Sequence, residues 1–162
     1  MKTVTRNCSK TKVYEFDPVI YPTRLWVCKK PNTGDVAELF YPFNNDGEMV
    51  DSFGDVLEYN SGKYANTLIV GNKMSMMRGC LVSIFQPGGC GAGVCAHEAL
   101  HYIAYLSEQF DIPLGGFDTS EPLAYLEQWA ANCIDSVLRG HPEKMKGVLL
   151  NGNDTDTTES VQ

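Results

Sequence analysis

The chain has 162 residues, 43% of them hydrophobic, and a formal net charge of −7 with twenty acids against thirteen bases. That length suits one domain with a core of its own, and the composition is that of a globular protein rather than a disordered one. The acidic balance disfavours binding a phosphate backbone over a broad surface, so no nucleic-acid partner is expected.

The first ninety residues read as strand-rich. Lys12–Phe16 and Arg24–Cys28 are short β-type runs, and Thr67–Val70 and Cys80–Phe85 are stronger ones. Clusters of Gly, Pro, Asn and Asp separate them. Val36–Tyr41 and Asp55–Tyr59 fit a strand or a helical turn equally well. From Gly93 to Phe110 the period changes to that of a helix, with Ala96, Ala99, Leu100, Ile103, Leu106 and Phe110 on one arc. Pro113 and two glycines end it. A second helix is expected from about Glu121 to Leu138, opened by Asp118-Thr119-Ser120 and Pro122 and closed by Arg139 and Gly140. Its apolar arc is Leu123, Leu126, Trp129, Ala130, Cys133, Ile134 and Val137. A short extra turn is expected after His141. Residues 151–162 are polar and acidic without periodicity, so they read as a disordered tail behind a single domain of residues 1–150.

The N-terminus lacks the apolar run of a signal peptide, and no stretch is long and apolar enough to span a membrane. A cytoplasmic protein with no membrane partner is expected, its six cysteines reduced. No CxxC pair is present, so a zinc ribbon is not indicated. The oligomeric state is not legible.

The first helix carries the chemistry. His97 and His101 are four residues apart, so both project from one face, one turn apart. That spacing lets two imidazoles reach one zinc ion. Glu98 lies about 100° round the helix from His97, where its carboxylate would address a metal-held water as general base and then acid. The two histidines and Glu98 are expected to face away from the core arc. A catalytic zinc needs a third protein ligand. Ala104 and Ser107 stand where the metzincin extension requires Gly and His. Glu121, at the start of the second helix, is the better candidate and His141 the alternative. Glu121 is expected to be partly buried at the helix–helix junction. Tyr125, one turn on, could hydrogen-bond a ligand carboxylate or a developing oxyanion. Glu108 and Glu127 read as solvated.

Gly91-x-Gly93-x-x-Ala96 matches a relaxed dinucleotide fingerprint. Five residues intervene after the strand, and no second βαβ strand follows, which disfavours that reading.

His97, Glu98 and His101, with Glu121 on the next helix, resemble the gluzincin group of zincin metallopeptidases. "AHEALHYIAYL" followed by "SEPLAYLEQW" looks more closely like small HExxH proteins encoded by tailed phages and prophages. The resemblance spans about residues 90–138 and implies a zincin-like α+β fold. In it a small antiparallel or mixed sheet packs on the active-site helix and on a second, C-terminal helix. It implies Zn2+ as cofactor, a peptide or protein substrate and, for a phage-encoded chain, the bacterial host cytoplasm. It also implies a strand edge beside the cleft, for which Cys80–Phe85 is the candidate, where an extended peptide can add as a strand. The further polar residues of the gluzincin pattern are not supplied by "EPLAYLEQW". The expected function is a zinc-dependent hydrolase acting on peptides. The alternative is a non-catalytic metal-binding or phage interaction protein.

Overall fold

The computed structural model describes residues 10–54, 57, 62–117 and 120–150. The fold is α+β, as expected: among the described residues, a six-stranded mixed sheet with three helices. The tail 151–162 and, apart from the buried Leu57, the Asp55–Tyr59 segment lie outside the described residues.

In chain order the elements are β1 (Val13–Phe16), β2 (Arg24–Lys29), α1 (Thr33–Leu39), β3 (Phe40–Pro42), β4 (Ala65–Asn72), β5 (Arg78–Ile84), α2 (Ala92–Gln109), α3 (Glu121–Leu138) and β6 (Val148–Leu149). The ambiguous Val36–Tyr41 run is both things in turn, the end of α1 and the start of β3. Asn32 decides where α1 begins: its side-chain oxygen accepts from the N–H groups of Gly34 and Asp35. The extra turn after His141 is a 3-10 turn, Pro142–Met145.

The strands lie in the order β3-β4-β5-β2-β1-β6. All pairs are antiparallel except β2 with β5, which run parallel from Arg24↔Gly79 to Lys29↔Ile84. Side chains alternate between the faces of each strand. One face, with Phe16, Leu25, Val27, Cys80, Val82 and Ile84, packs on α2 and α3. The other, with Val13, Trp26, Cys28, Val70 and Leu81, packs on Val36 of α1 and on Phe40 and Phe53. β2 and β5 are therefore covered on both faces. That explains their nearly unbroken apolar runs, LWVC and CLVSI.

The buried arc of α2 differs from the expected one. Ala96 is exposed and Leu100 is 54% exposed. Ala99, Ile103 and Leu106 are buried as read and Phe110 is partly so, while Cys95, Glu98, Tyr102 and Tyr105 are buried in place of Ala96 and Leu100. α2 packs on the sheet with one side and on α3 beside it with another, so two of its sides are covered, and the tyrosines serve as core aromatics. In α3 the expected arc is buried as read, with Trp129 only partly so. Among the described residues no helix is long and apolar enough to cross a membrane.

Candidate metal and catalytic site

Residues 87–89 form a 3-10 turn that leads from β5 to Gly91, which caps α2 through its backbone. A Cβ on Gly89 would lie 2.2 Å from the Tyr64 ring. The glycine is there because the loop crosses an aromatic face, so a phosphate cradle is not needed to account for it. Cys90 follows, half-buried, with its thiol 3.6 Å from the Tyr64 carbonyl. Burial, and then the Glu98 carboxylate, push that thiol up from its ordinary value.

One turn into α2 stand His97 and His101, both exposed. Their rings meet edge to face at 80° with centroids 4.9 Å apart, and the two Nε2 atoms are 3.3 Å apart. Two nitrogens at 3.3 Å, each bonded to zinc at about 2.0–2.1 Å, subtend about 104–111° at the metal. That is the tetrahedral angle. The pair therefore fits two legs of a zinc site.

Glu98 departs from expectation. It is 4% exposed, on the packing side of α2 rather than away from it. The 100° step from His97 turns it toward β4, where the Thr67 hydroxyl donates to its Oε2 at 2.6 Å. The same hydroxyl oxygen lies 3.3 Å from the Glu98 backbone carbonyl, so Thr67 fixes both the carboxylate and the helix turn that carries it. The periodicity of α2 gives no sign of Thr67, because its place depends on which strand lies under the helix. Its only signal in the sequence is a polar residue inside the apolar run of β4.

Beside the histidines opens a cleft of about 260 Å³ between α2 and β4, lined among others by Phe43, Thr67, Ile69, His101, Tyr105 and Glu108. Glu108 is exposed at this cleft, in keeping with the solvated reading. The strand edge beside the cleft belongs to β4 and not to the expected Cys80–Phe85 segment. That segment is β5, interior between β4 and β2. β3 covers β4 only from Val70 to Asn72, with one more bond from the Phe43 N–H to the Ile69 carbonyl. Backbone groups alternate sides along a strand. The parity that sends the Ile69 carbonyl outward sends those of Thr67 and Ala65 outward too, and among the described residues they meet no strand.

The expected third ligand is not brought to the pair. Among the described residues no group of three His, Cys, Asp or Glu side chains is placed to hold a metal. Glu121 is exposed in the first turn of α3, outside the buried arc that starts at Leu123, so its expected partial burial is corrected. α3 does fold back antiparallel. The charges of Asp135 and Arg139 near its end act on the Cys95 thiol near the start of α2, and Trp129 faces Tyr102 at 6.3 Å. Eight residues separate Trp129 from Glu121, about 12 Å along the axis, which carries Glu121 toward the far end of α2. Tyr125 is 67% exposed and makes no described hydrogen bond. His141 lies beyond the other end of α3, its Nδ1 3.4 Å from Glu143. Residues 118–119, next to Glu121 in the chain, are outside the described set.

Compared with protein-family models, with curated proteins and with solved structures, the chain matches none of them.

Proposed function

We propose that the protein is a zinc-dependent hydrolase acting on peptides, with His97 and His101 as metal ligands and Glu98 as the proton-transferring carboxylate. The observation that carries this reading is the convergence of the two Nε2 atoms at 3.3 Å beside a buried glutamate. One Nε2–H can donate to the other Nε2 at this distance, and a zinc ion would take that proton's place between them. Zinc would polarise a scissile carbonyl and lower the pKa of a bound water. Glu98 takes the proton from the attacking water at its carboxylate and later returns one to the leaving amine. Thr67 holds that carboxylate in one rotamer throughout, so its geometry does not have to form during the reaction. The outward groups of Thr67 and Ala65 give an extended peptide a main-chain partner next to Glu98.

Glu121 is the proposed third ligand. It serves when the first turn of α3 moves toward the histidines on metal binding. The cytoplasm is the proposed location.

The test is metal content followed by a separation of binding from catalysis. The purified protein takes up one equivalent of zinc, and His97→Ala or His101→Ala abolishes that uptake. Glu98→Gln keeps the zinc and lowers peptide hydrolysis by about 10²–10⁴-fold. Failure to take up zinc when it is offered overturns the reading. Zinc uptake with hydrolysis indifferent to Glu98→Gln leaves a non-catalytic metal protein.

A further inference from the structure

The far end of the sheet holds the opposite charge from the molecule as a whole. Of nine lysines in the sequence, four (Lys10, Lys12, Lys29 and Lys30) line one cleft of about 540 Å³, with Tyr14 and Val137 also on its wall. Lys12 and Lys29 follow directly on the Val13↔Cys28 pair of β1 and β2, which makes them cross-strand neighbours. Like charges in that relation sit with their Cβ atoms about 4.5–5.5 Å apart and destabilise the pairing. Lys10 meets Glu38 at 3.2 Å. Among the described residues Lys12, Lys29 and Lys30 have no carboxylate within ion-pair distance. A protein with seven excess negative charges thus concentrates unneutralised cations at one cleft.

The chain itself leads an anion there. β6 runs antiparallel to the outer edge of β1, with Tyr14↔Leu149, and the Leu150 N–H donates to the Val13 carbonyl at 2.8 Å. Continued in this direction, the register of β6 against β1 points toward Lys12. Residues 151–162 contain Asp154, Asp156 and Glu159 and no Lys, Arg or His. Asp154 is four residues beyond Leu150, a reach of up to about 14 Å. That is ample to arrive at the ammonium groups of Lys12 and Lys29.

We propose that residues 151–162 dock in this lysine cleft through Asp154, Asp156 and Glu159, making the acidic segment the cleft's own occupant. Three carboxylates then neutralise three otherwise unpaired lysines, and the like-charge contact between β1 and β2 is relieved. The contact is exposed and therefore salt-sensitive.

The test uses the full chain, labelled for amide NMR. Raising salt from about 0.1 M to about 1 M shortens the screening length from about 10 Å to about 3 Å. The expected result is that this moves the amide signals of Lys12, Tyr14, Lys29 and Lys30. Asp154→Asn/Asp156→Asn/Glu159→Gln should move the same signals and leave those of Lys63, Lys73 and Lys144 in place. Conversely, Lys12→Gln/Lys29→Gln should move the signals of residues 151–162. Pyrophosphate should then bind the cleft of the acid-depleted variant about fivefold or more tightly than that of the natural chain, because its competitor is gone. Cleft signals that are identical with and without the three acids overturn the proposal. So does pyrophosphate binding of equal affinity to both chains, which would make the cleft a site for external anions only.

Discussion

At the scale of single residues, the candidate site rests on a division of labour between neighbours on one helix. His97 and His101 point to solvent while Glu98, next to His97, is buried under β4. The pairing of the two histidines was legible in the sequence because it follows from 3.6 residues per turn alone. The burial of Glu98 was not, because it depends on which strand underlies the helix. The displacement of Glu121 was not either, because an 11-residue connection leaves the level of the second helix open. The contact that fixes Glu98 makes a specific expectation. Thr67→Val keeps the shape and removes the hydroxyl that donates at 2.6 Å. A hydrogen bond to a charged group contributes about 1.5–3 kcal/mol, and its loss should lower the denaturant midpoint accordingly. Zinc affinity should stay within a few-fold while the proposed hydrolysis falls, since the histidines are untouched. Equal losses in both would mean that Thr67 supports the whole turn rather than the carboxylate.

At the scale of elements, the four longer strands and both long helices were readable, since each carries its own period and its own stop signals. β6, two residues long, has no period to read. The strand order was also beyond reach: β2 lies parallel to β5 although α1, β3 and β4 intervene in the chain. That pairing has one narrow point. A Cβ on Gly79 would sit 2.0 Å from the Arg24 carbonyl oxygen and 2.9 Å from the Trp26 ring. Neither β2 nor a fully buried tryptophan can step aside, so Gly79→Ala should destabilise the fold by about 2–3 kcal/mol, read from chemical denaturation. Gly93→Ala is the contrast. Nothing lies within 4 Å of its added Cβ, and it stands in the first turn of α2. It should be neutral or stabilise by up to about 1 kcal/mol.

At the scale of the whole molecule, the thiols report how completely the two cores are closed. Of the five described cysteines, which are free, only Cys90 is not buried. Burial pushes the Cys28 thiol up from 9.0 to about 12, with Ser83 opposing, and Cys95 up to about 11. Cys80 and Cys133 are pushed up as well, by burial alone. A thiol whose folded value is raised stays neutral in both states below about pH 9. Above that it ionises only in the unfolded chain. Stability is therefore intact below pH 9 and falls as pH rises toward the folded values, by about 1.4 kcal/mol per pH unit for a fully buried thiol such as Cys28. The expected outcome is a denaturation midpoint that declines steeply between pH 9 and about 11, and less so in a Cys28→Ala/Cys133→Ala chain. In native labelling at neutral pH, Cys90 should react first among these five. The uncovered stretch of β4 has an effect of its own on how molecules meet. Soluble proteins guard such edges with lysines, prolines or bulges. Ala65, Asn66, Thr67 and Leu68 are none of these and carry no charge. Two copies can lay this stretch side by side in opposite directions, each filling the other's outward backbone groups and covering the histidines of both. Crowding the solution should thus lower the proposed hydrolysis before it precipitates the protein, with turnover per molecule falling as sedimentation shows pairs forming.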